Sequence, residues 1–323
     1  MRLMRWMPVI VSLLLVSGES GFRGEPIVSA AAGADGQGTI SESAAVPQAG
    51  TKQGERPRPA VFRAKVADSA VEALPGVYAS YSVASVYVIK CGERYVMVDT
   101  GLDRDVDANL ANFKNAGIDL RKIDAILTSH IHYDHLSGLA KAKERLGCPV
   151  VAHRENVRPI ETGDPMVTAR EQPYIDGYSF PFPPCKVDLV VEDGDTIRVG
   201  SITFTIRHIP GHTAGDTGYS WDDKLTVGDV LFEGGFTGFT DSHWGSNYED
   251  IIASMKRIKE INPRYCLSSH GRPWEYSPAA SDKVIQFAEE KLAQGPQSLV
   301  FYTRRSTGRR EREPKSIVVP ERR

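Results

Sequence analysis

Residues 130–135 read His-Ile-His-Tyr-Asp-His, three imidazoles and a carboxylate in an H-x-H-x-D-H run. Neutral imidazole and carboxylate are borderline nitrogen and oxygen donors that suit Zn²⁺, Fe and Mn. In an extended segment His130 and His132 point the same way and grip one ion, while Asp134 and His135, at the following turn, face a second. A chain of this composition would produce such a run by chance with a probability on the order of 10⁻⁴ to 10⁻³, so the motif is strong evidence for metal chemistry. A pair of ions needs more donors. Three later positions offer them: His212 in IPGHTAGD, Asp229 in LTVGDVLF and His270 in LSSHGRPW. Each ends or follows an apolar, strand-like run flanked by Gly or Ser, the setting of a loop at a sheet edge. The other histidines, His153, His208 and His243, are read as structural, with His243 and Trp244 also candidates for the rim of the same cleft. Asp216 and Asp241 are read as turn or surface carboxylates.

Two cations roughly 3.5 to 4 Å apart hold a water between them and lower its pKa from 15.7 toward about 7, which gives a metal-bridging hydroxide at neutral pH. No side-chain nucleophile is then required, and the sequence contains neither a Gly-x-Ser-x-Gly elbow nor a cysteine in a nucleophile motif. The expected reaction is attack of that hydroxide on a carbonyl, with Asp134 holding the second metal and relaying a proton. Outside the ligands, Glu171 to Pro184 (EQPYIDGYSFPFPP) is too rich in proline for a regular element and carries Tyr174, Tyr178, Phe180 and Phe182. It is expected either to wall the metals as an apolar lid, with Tyr174 and Tyr178 contacting substrate, or to pack its own aromatics on the fold.

The elements that must position these residues alternate in period. VASVYVIK, ERYVMVDT and IDAILTSH read as strands, and DANLANFKNAG, HLSGLAKAKERLG and EDIIASMKRIKEIN as helices, the last stopped by Asn262-Pro263. From Asp188 to Phe232 successive strands are joined by Gly and Asp turns. Strands in series with helices between them predict a layered α/β sandwich of mixed sheets. The H-x-H-x-D-H run sits where a strand meets a helix.

Composition narrows the alternatives. Of 323 residues, 41% are hydrophobic and 25% charged, as in a folded domain. With 39 basic and 41 acidic residues the net charge is −2, so no global field draws nucleic acid. Cys91, Cys148, Cys185 and Cys266 are widely spaced, which rules out a zinc ribbon. Residues 1–18 place Arg2 and Arg5 before an apolar run closing on Ser17-Gly18, the layout of a secretory signal too short to remain as a membrane span, so export to the periplasm or exterior is expected. Residues 19–59 read as a flexible linker, 60–292 as the folded domain, and 293–323 as a basic, disordered tail.

Asp99 in VMVDTGL, the HIHYDH run, His212, Asp229 and His270 together resemble the metallo-β-lactamase superfamily in identity, order and spacing, over roughly Val61 to Trp274. The resemblance implies a four-layer αβ/βα sandwich of two mixed β-sheets flanked by helices, with metals at one end. It implies His130, His132 and His212 on the first metal, Asp134, His135 and His270 on the second, Asp229 bridging, and Asp99 supporting the loop. Two divalent ions, Zn or else Fe or Mn, and a small-molecule substrate are expected. CKVDLVVEDGDTIRVGSITFTIRHIPGHTAGDTGYSW looks like subclass B3 β-lactamases, which lack the bridging Asp; GDVLFEGG looks more like glyoxalase II, without its glutathione-binding extension; and lactonases share the full donor set. The expected activity is cleavage of a small ester, lactone, thioester or amide. A B3-like β-lactamase and a mononuclear-iron persulfide dioxygenase are the alternatives.

Overall fold

Alternating apolar residues build the centre of a first seven-stranded sheet, seen in a computed structural model that describes residues 66–165, 167–169, 180–240, 242, 245–295 and 313–322. Its strands lie in chain order: β1 (Val71–Leu74), β2 (Val77–Tyr81), β3 (Ser85–Cys91), β4 (Arg94–Val98), β5 (Ile123–Leu127), β6 (Val150–His153) and β7 (Leu189–Val191). Hairpins keep β1 to β4 antiparallel, whereas helical crossovers make β4 to β6 parallel; β6 and β7 are also parallel. The crossovers are α1 (Val106–Asn115), after β4, and α2 (Tyr133–Leu136) with α3 (Leu139–Leu146), after β5.

The second sheet contains β8 (Thr196–Val199), β9 (Ile202–His208), β10 (Thr217–Trp221), β11 (Lys224–Gly228), β12 (Tyr265–Ser268), β13 (Trp274–Glu275) and β14 (Ser316–Val318), in the order β13-β12-β11-β10-β9-β8-β14. Val77, Ile89, Val96 and Leu127 of the first sheet meet Val199, Phe204, Ile206 and Tyr219 of the second in one buried cluster. Behind the second sheet, α5 (Tyr248–Ile261) and α6 (Pro278–Ala293) pack Ile251, Met255 and Val284 on Leu225, Val227 and Cys266. The architecture is the expected αβ/βα sandwich of two mixed sheets. The helix stop is also as expected, with Asn262 in the left-handed region at φ 46° before Pro263.

Two helices have no counterpart in the sequence reading. In α4 (Arg154–Thr162) only Asn156 and Ile160 are buried and Pro159 interrupts the pattern, so the apolar stripe is too thin to read. In α6 the buried positions are Ala280, Ser281, Val284 and Ala288, mostly small residues that give a weak signal.

The basic tail expected over 293–323 is corrected where it is described. Residues 316–318 form β14, parallel to β8, with Ile317 opposite Ile197. The Lys315 amide donates to Asp195 Oδ1 at 2.6 Å and Val319 is buried, so two apolar side chains and a free sheet edge outweigh the charge of their neighbours. The leader at 1–18, the linker at 19–59 and the arginine-rich 296–312 lie outside the described residues. All four cysteines are free and buried.

Candidate metal centre

Because β9, β11 and β12 run in the same direction, their C-terminal ends bring the loops bearing His212, Asp229 and His270 to one edge of the second sheet. Across the sandwich β5 ends at Leu127, and the chain passes through His130 into α2, where His132 is the N-cap and Asp134 and His135 lie in the single turn. Closure of the two sheets thus assembles residues separated by as many as 140 positions. They form three overlapping groups, His130 with His132 and His212, Asp134 with His135 and His270, and His130 with His135 and Asp229, with the donor atoms of each within 4.8 Å of one another.

Asp229 is central. Its Oδ2 lies 3.2 Å from His270 Nε2, 3.5 Å from His135 Nε2 and 3.7 Å from His212 Nε2. Asp134 Oδ2 lies 3.4 Å from His135 Nε2 and 3.5 Å from His270 Nε2. Donors about 2.0–2.2 Å from one tetrahedral ion stand roughly 3.3–3.6 Å apart, so the spacing suits shared cations. Buried polar atoms normally find partners, yet His130 Nε2 and Asp229 Oδ1 have no hydrogen-bond partner among the described residues, as expected of atoms set aside for an ion. The residues therefore fit a metal centre.

Neighbouring groups aim the donors. His212 Nδ1 donates to the Phe239 carbonyl at 2.7 Å and His270 Nδ1 to the Val83 carbonyl at 2.6 Å, which leaves each Nε2 facing the cluster. Ser129 Oγ donates to Asp99 Oδ2 at 2.6 Å and accepts from His130 Nδ1 at 2.9 Å, while Asp99 Oδ1 also accepts the Ser129 amide at 2.8 Å. Asp99 occupies the left-handed region at φ 58°, which aspartate tolerates better than most residues. Gly238 is required by close approach: a Cβ there would stand 2.8 Å from both the Asp229 carbonyl and His212 Nδ1.

Burial holds the His130, His132 and His212 imidazoles below their ordinary pKa, which keeps them neutral and able to bind metal. Burial also acts on His135 and His270, but it is outweighed by Asp134 and Asp229 beside His135 and by Asp229 beside His270, so both are raised. Asp134 and Asp229 are held well below the carboxylate range because these histidines overcome the cost of burial. The centre opens on one side. The Asp134 and His270 side chains are 16% and 31% exposed, against 0% for His135.

Of the other candidates, Tyr174, Tyr178, Asp241, His243 and Trp244 lie outside the described residues. The described end of the proline-rich segment packs on the fold: Phe180 stacks on Tyr133 at 3.9 Å between ring centroids, and Phe182 is buried. His153 and His208 stack on each other at 4.1 Å, apart from the cluster. Asp216 is a turn carboxylate but not a surface one. It is buried, accepts the Thr213 amide and hydroxyl at 2.7 Å each, and is pushed up to about 8 by burial, against the pull of those bonds. Sequence reading passed over Ser129, although it adjoins the motif, and the Val83 and Phe239 carbonyls, which carry no residue-type signal.

The metallo-β-lactamase superfamily model matches residues 81–270, a span that holds all seven clustered side chains. The chain belongs to the metallo-β-lactamase superfamily. Among relatives in that superfamily, a hydroxyacylglutathione hydrolase of Bdellovibrio bacteriovorus is 30% identical over 45% of this chain and 49% of its own length, so the match spans about half of that protein. The acyl-coenzyme A thioesterase MBLAC2 of Gallus gallus is 25% identical over 67% of this chain and 80% of its own. Among solved structures, the subclass B3 metallo-β-lactamase BJP-1 of Bradyrhizobium japonicum superposes with a TM-score of 0.57 at 21% identity, covering 70% of this chain and 93% of that one, a likeness of fold.

Proposed function

We propose that this superfamily member is an exported, dinuclear metal-dependent hydrolase that cleaves a small ester, lactone, thioester or amide. The observation that carries the reading is the placement of Asp229 Oδ2 within 3.7 Å of His212 from the His130, His132 and His212 group and of His135 and His270 from the Asp134, His135 and His270 group, where one carboxylate can join two ions. His130, His132 and His212 would hold the first ion, Asp134, His135 and His270 the second, and Asp229 would serve both. When bound, the ions, zinc in the first instance, supply Lewis acidity and lower the pKa of water to about 7.

This chain's own residues do the rest. Ser129 with Asp99, the Phe239 carbonyl and the Val83 carbonyl fix the imidazoles in orientation. Asp134, ionised and on the open side, is placed to take the proton that the attacking water gives up onto a carboxylate oxygen and to return it to the leaving group. The activities of the two relatives, on hydroxyacylglutathione and acyl-coenzyme A, favour a thioester or ester over a β-lactam. The B3 neighbours in fold support β-lactam hydrolysis as a second reading, against which stands the bridging Asp229 that the resemblance says B3 enzymes lack. The basic and apolar leader at 1–18 supports export, which N-terminal sequencing of the mature protein tests.

A hydrolysis screen of the metal-loaded chain against lactones, thioesters and β-lactams tests the activity. Turnover with about two Zn per chain supports the proposal, and a single oxygen-sensitive Fe supports persulfide oxidation instead.

A further inference from the structure

The loop that follows Asp229 leaves two phenyl rings in solvent, Phe236 at 49% exposure and Phe239 at 53%. Its backbone is held close to the metal centre. The Gly238 amide donates to the Asp229 carbonyl at 2.7 Å, the Phe232 amide to the Phe236 carbonyl at 2.9 Å, and the Phe239 carbonyl accepts from His212 Nδ1. On its outer side Gly235 lies so near α6 that a Cβ would come within 2.7 Å of the Ala280 carbonyl. Fastening on both sides holds the two phenyl-bearing positions beside the centre. Phe232 connects Phe236 to the reacting end: its own side chain is buried, and its ring centroid is 5.1 Å from Phe236 and 6.0 Å from His270. Between Leu231 and Thr240 the sole charged residue is Glu233, and the nearby Lys283 ammonium of α6 is engaged on the outer side of the loop, where it donates to the Gly234 carbonyl at 3.1 Å. The surface adjoining His270 is therefore suited to hydrocarbon.

We infer that Phe232, Phe236 and Phe239 cradle the apolar acyl chain of the substrate, so that the hydrolase selects medium-length acyl groups over acetyl. The inference rests on the hydrolytic reading above and gives it a substrate class. A methylene taken fully out of water favours binding roughly fourfold, and one resting on a half-open wall by less.

The test uses the full, zinc-loaded chain and the 4-nitrophenyl esters of acetate, butyrate, hexanoate and octanoate. In the wild type kcat/KM is expected to rise along the series. In Phe236→Ala combined with Phe239→Ala the octanoate-to-acetate ratio is expected to fall at least tenfold, with circular dichroism and zinc content as in the wild type. A flat wild-type series, or an unchanged ratio in the double variant, overturns the inference. Calorimetric binding of octanoate and acetate separates it from the hydrolase reading. Should no ester turn over, that reading fails alone, and the cradle then stands or falls on whether octanoate binds more tightly than acetate and loses the advantage in the double variant.

Discussion

At their N-terminal ends β4 and β5 bury Arg94 against Asp124, and at their C-terminal ends, roughly 15 Å further along the same strands, they lead into Asp99, Ser129 and His130. Both ends place ionisable groups out of water. At the first, the guanidinium meets both carboxylate oxygens, and the Arg322 amide donates to the same carboxylate at 3.2 Å, which ties the C-terminal segment to the first sheet. At the second, His130 Nε2 and Asp229 Oδ1 have no partner among the described residues. A buried ion pair that is saturated within the protein serves the fold, whereas a cluster that leaves donors unsatisfied is organised for something that must come from outside.

The comparison makes opposite predictions for the two ends. Asp229→Ala or His132→Ala in the zinc-loaded enzyme is expected to lower kcat/KM by roughly 10³-fold or more while far-ultraviolet circular dichroism stays unchanged. Retained turnover in either variant, or in chelator-treated protein, would break the contrast at its centre. Asp124→Ala should do the reverse. Stranding the buried Arg94 charge is expected to cost about 3–5 kcal/mol in urea denaturation, with zinc stoichiometry intact; a loss below about 1 kcal/mol would mean that the pair is no structural anchor.

Ser129→Ala sharpens the picture, because it removes the link between Asp99 and His130 but no metal donor. Competition with a chelating dye is expected to show zinc affinity weakened roughly 10–100-fold, with much less effect on stability than Asp124→Ala. The smallest effect concerns Asp216. Burial pushes its folded carboxyl up to about 8, from an ordinary value of about 3.8, so its proton-linked contribution to stability is complete below about pH 4 and is lost as pH rises toward 8. Melting of the metal-free protein between pH 4 and 8 should therefore decline more steeply than that of Asp216→Asn; parallel curves would remove Asp216 from the pH dependence.

The strands leading to the H-x-H-x-D-H run were legible because β-branched alternation is a local property, and α5 because its apolar stripe and Asn-Pro stop are both written within one segment. The thin stripe of α4 and the small buried residues of α6 gave too little contrast for that kind of reading. In the tail, charge dominated the composition, while pairing of Ile317 and burial of Val319 depended on a distant edge strand.

By itself the sequence determined which side chains can bind a metal, since donor chemistry and short spacing belong to the residues. Only the tertiary structure decided that Asp229 stands between the two histidine groups, that the Val83 and Phe239 carbonyls aim His270 and His212, and that Phe236 and Phe239 remain in solvent beside them. These relations join positions far apart along the chain. They arise when two sheets close on a shared apolar core, and no local period encodes that closure.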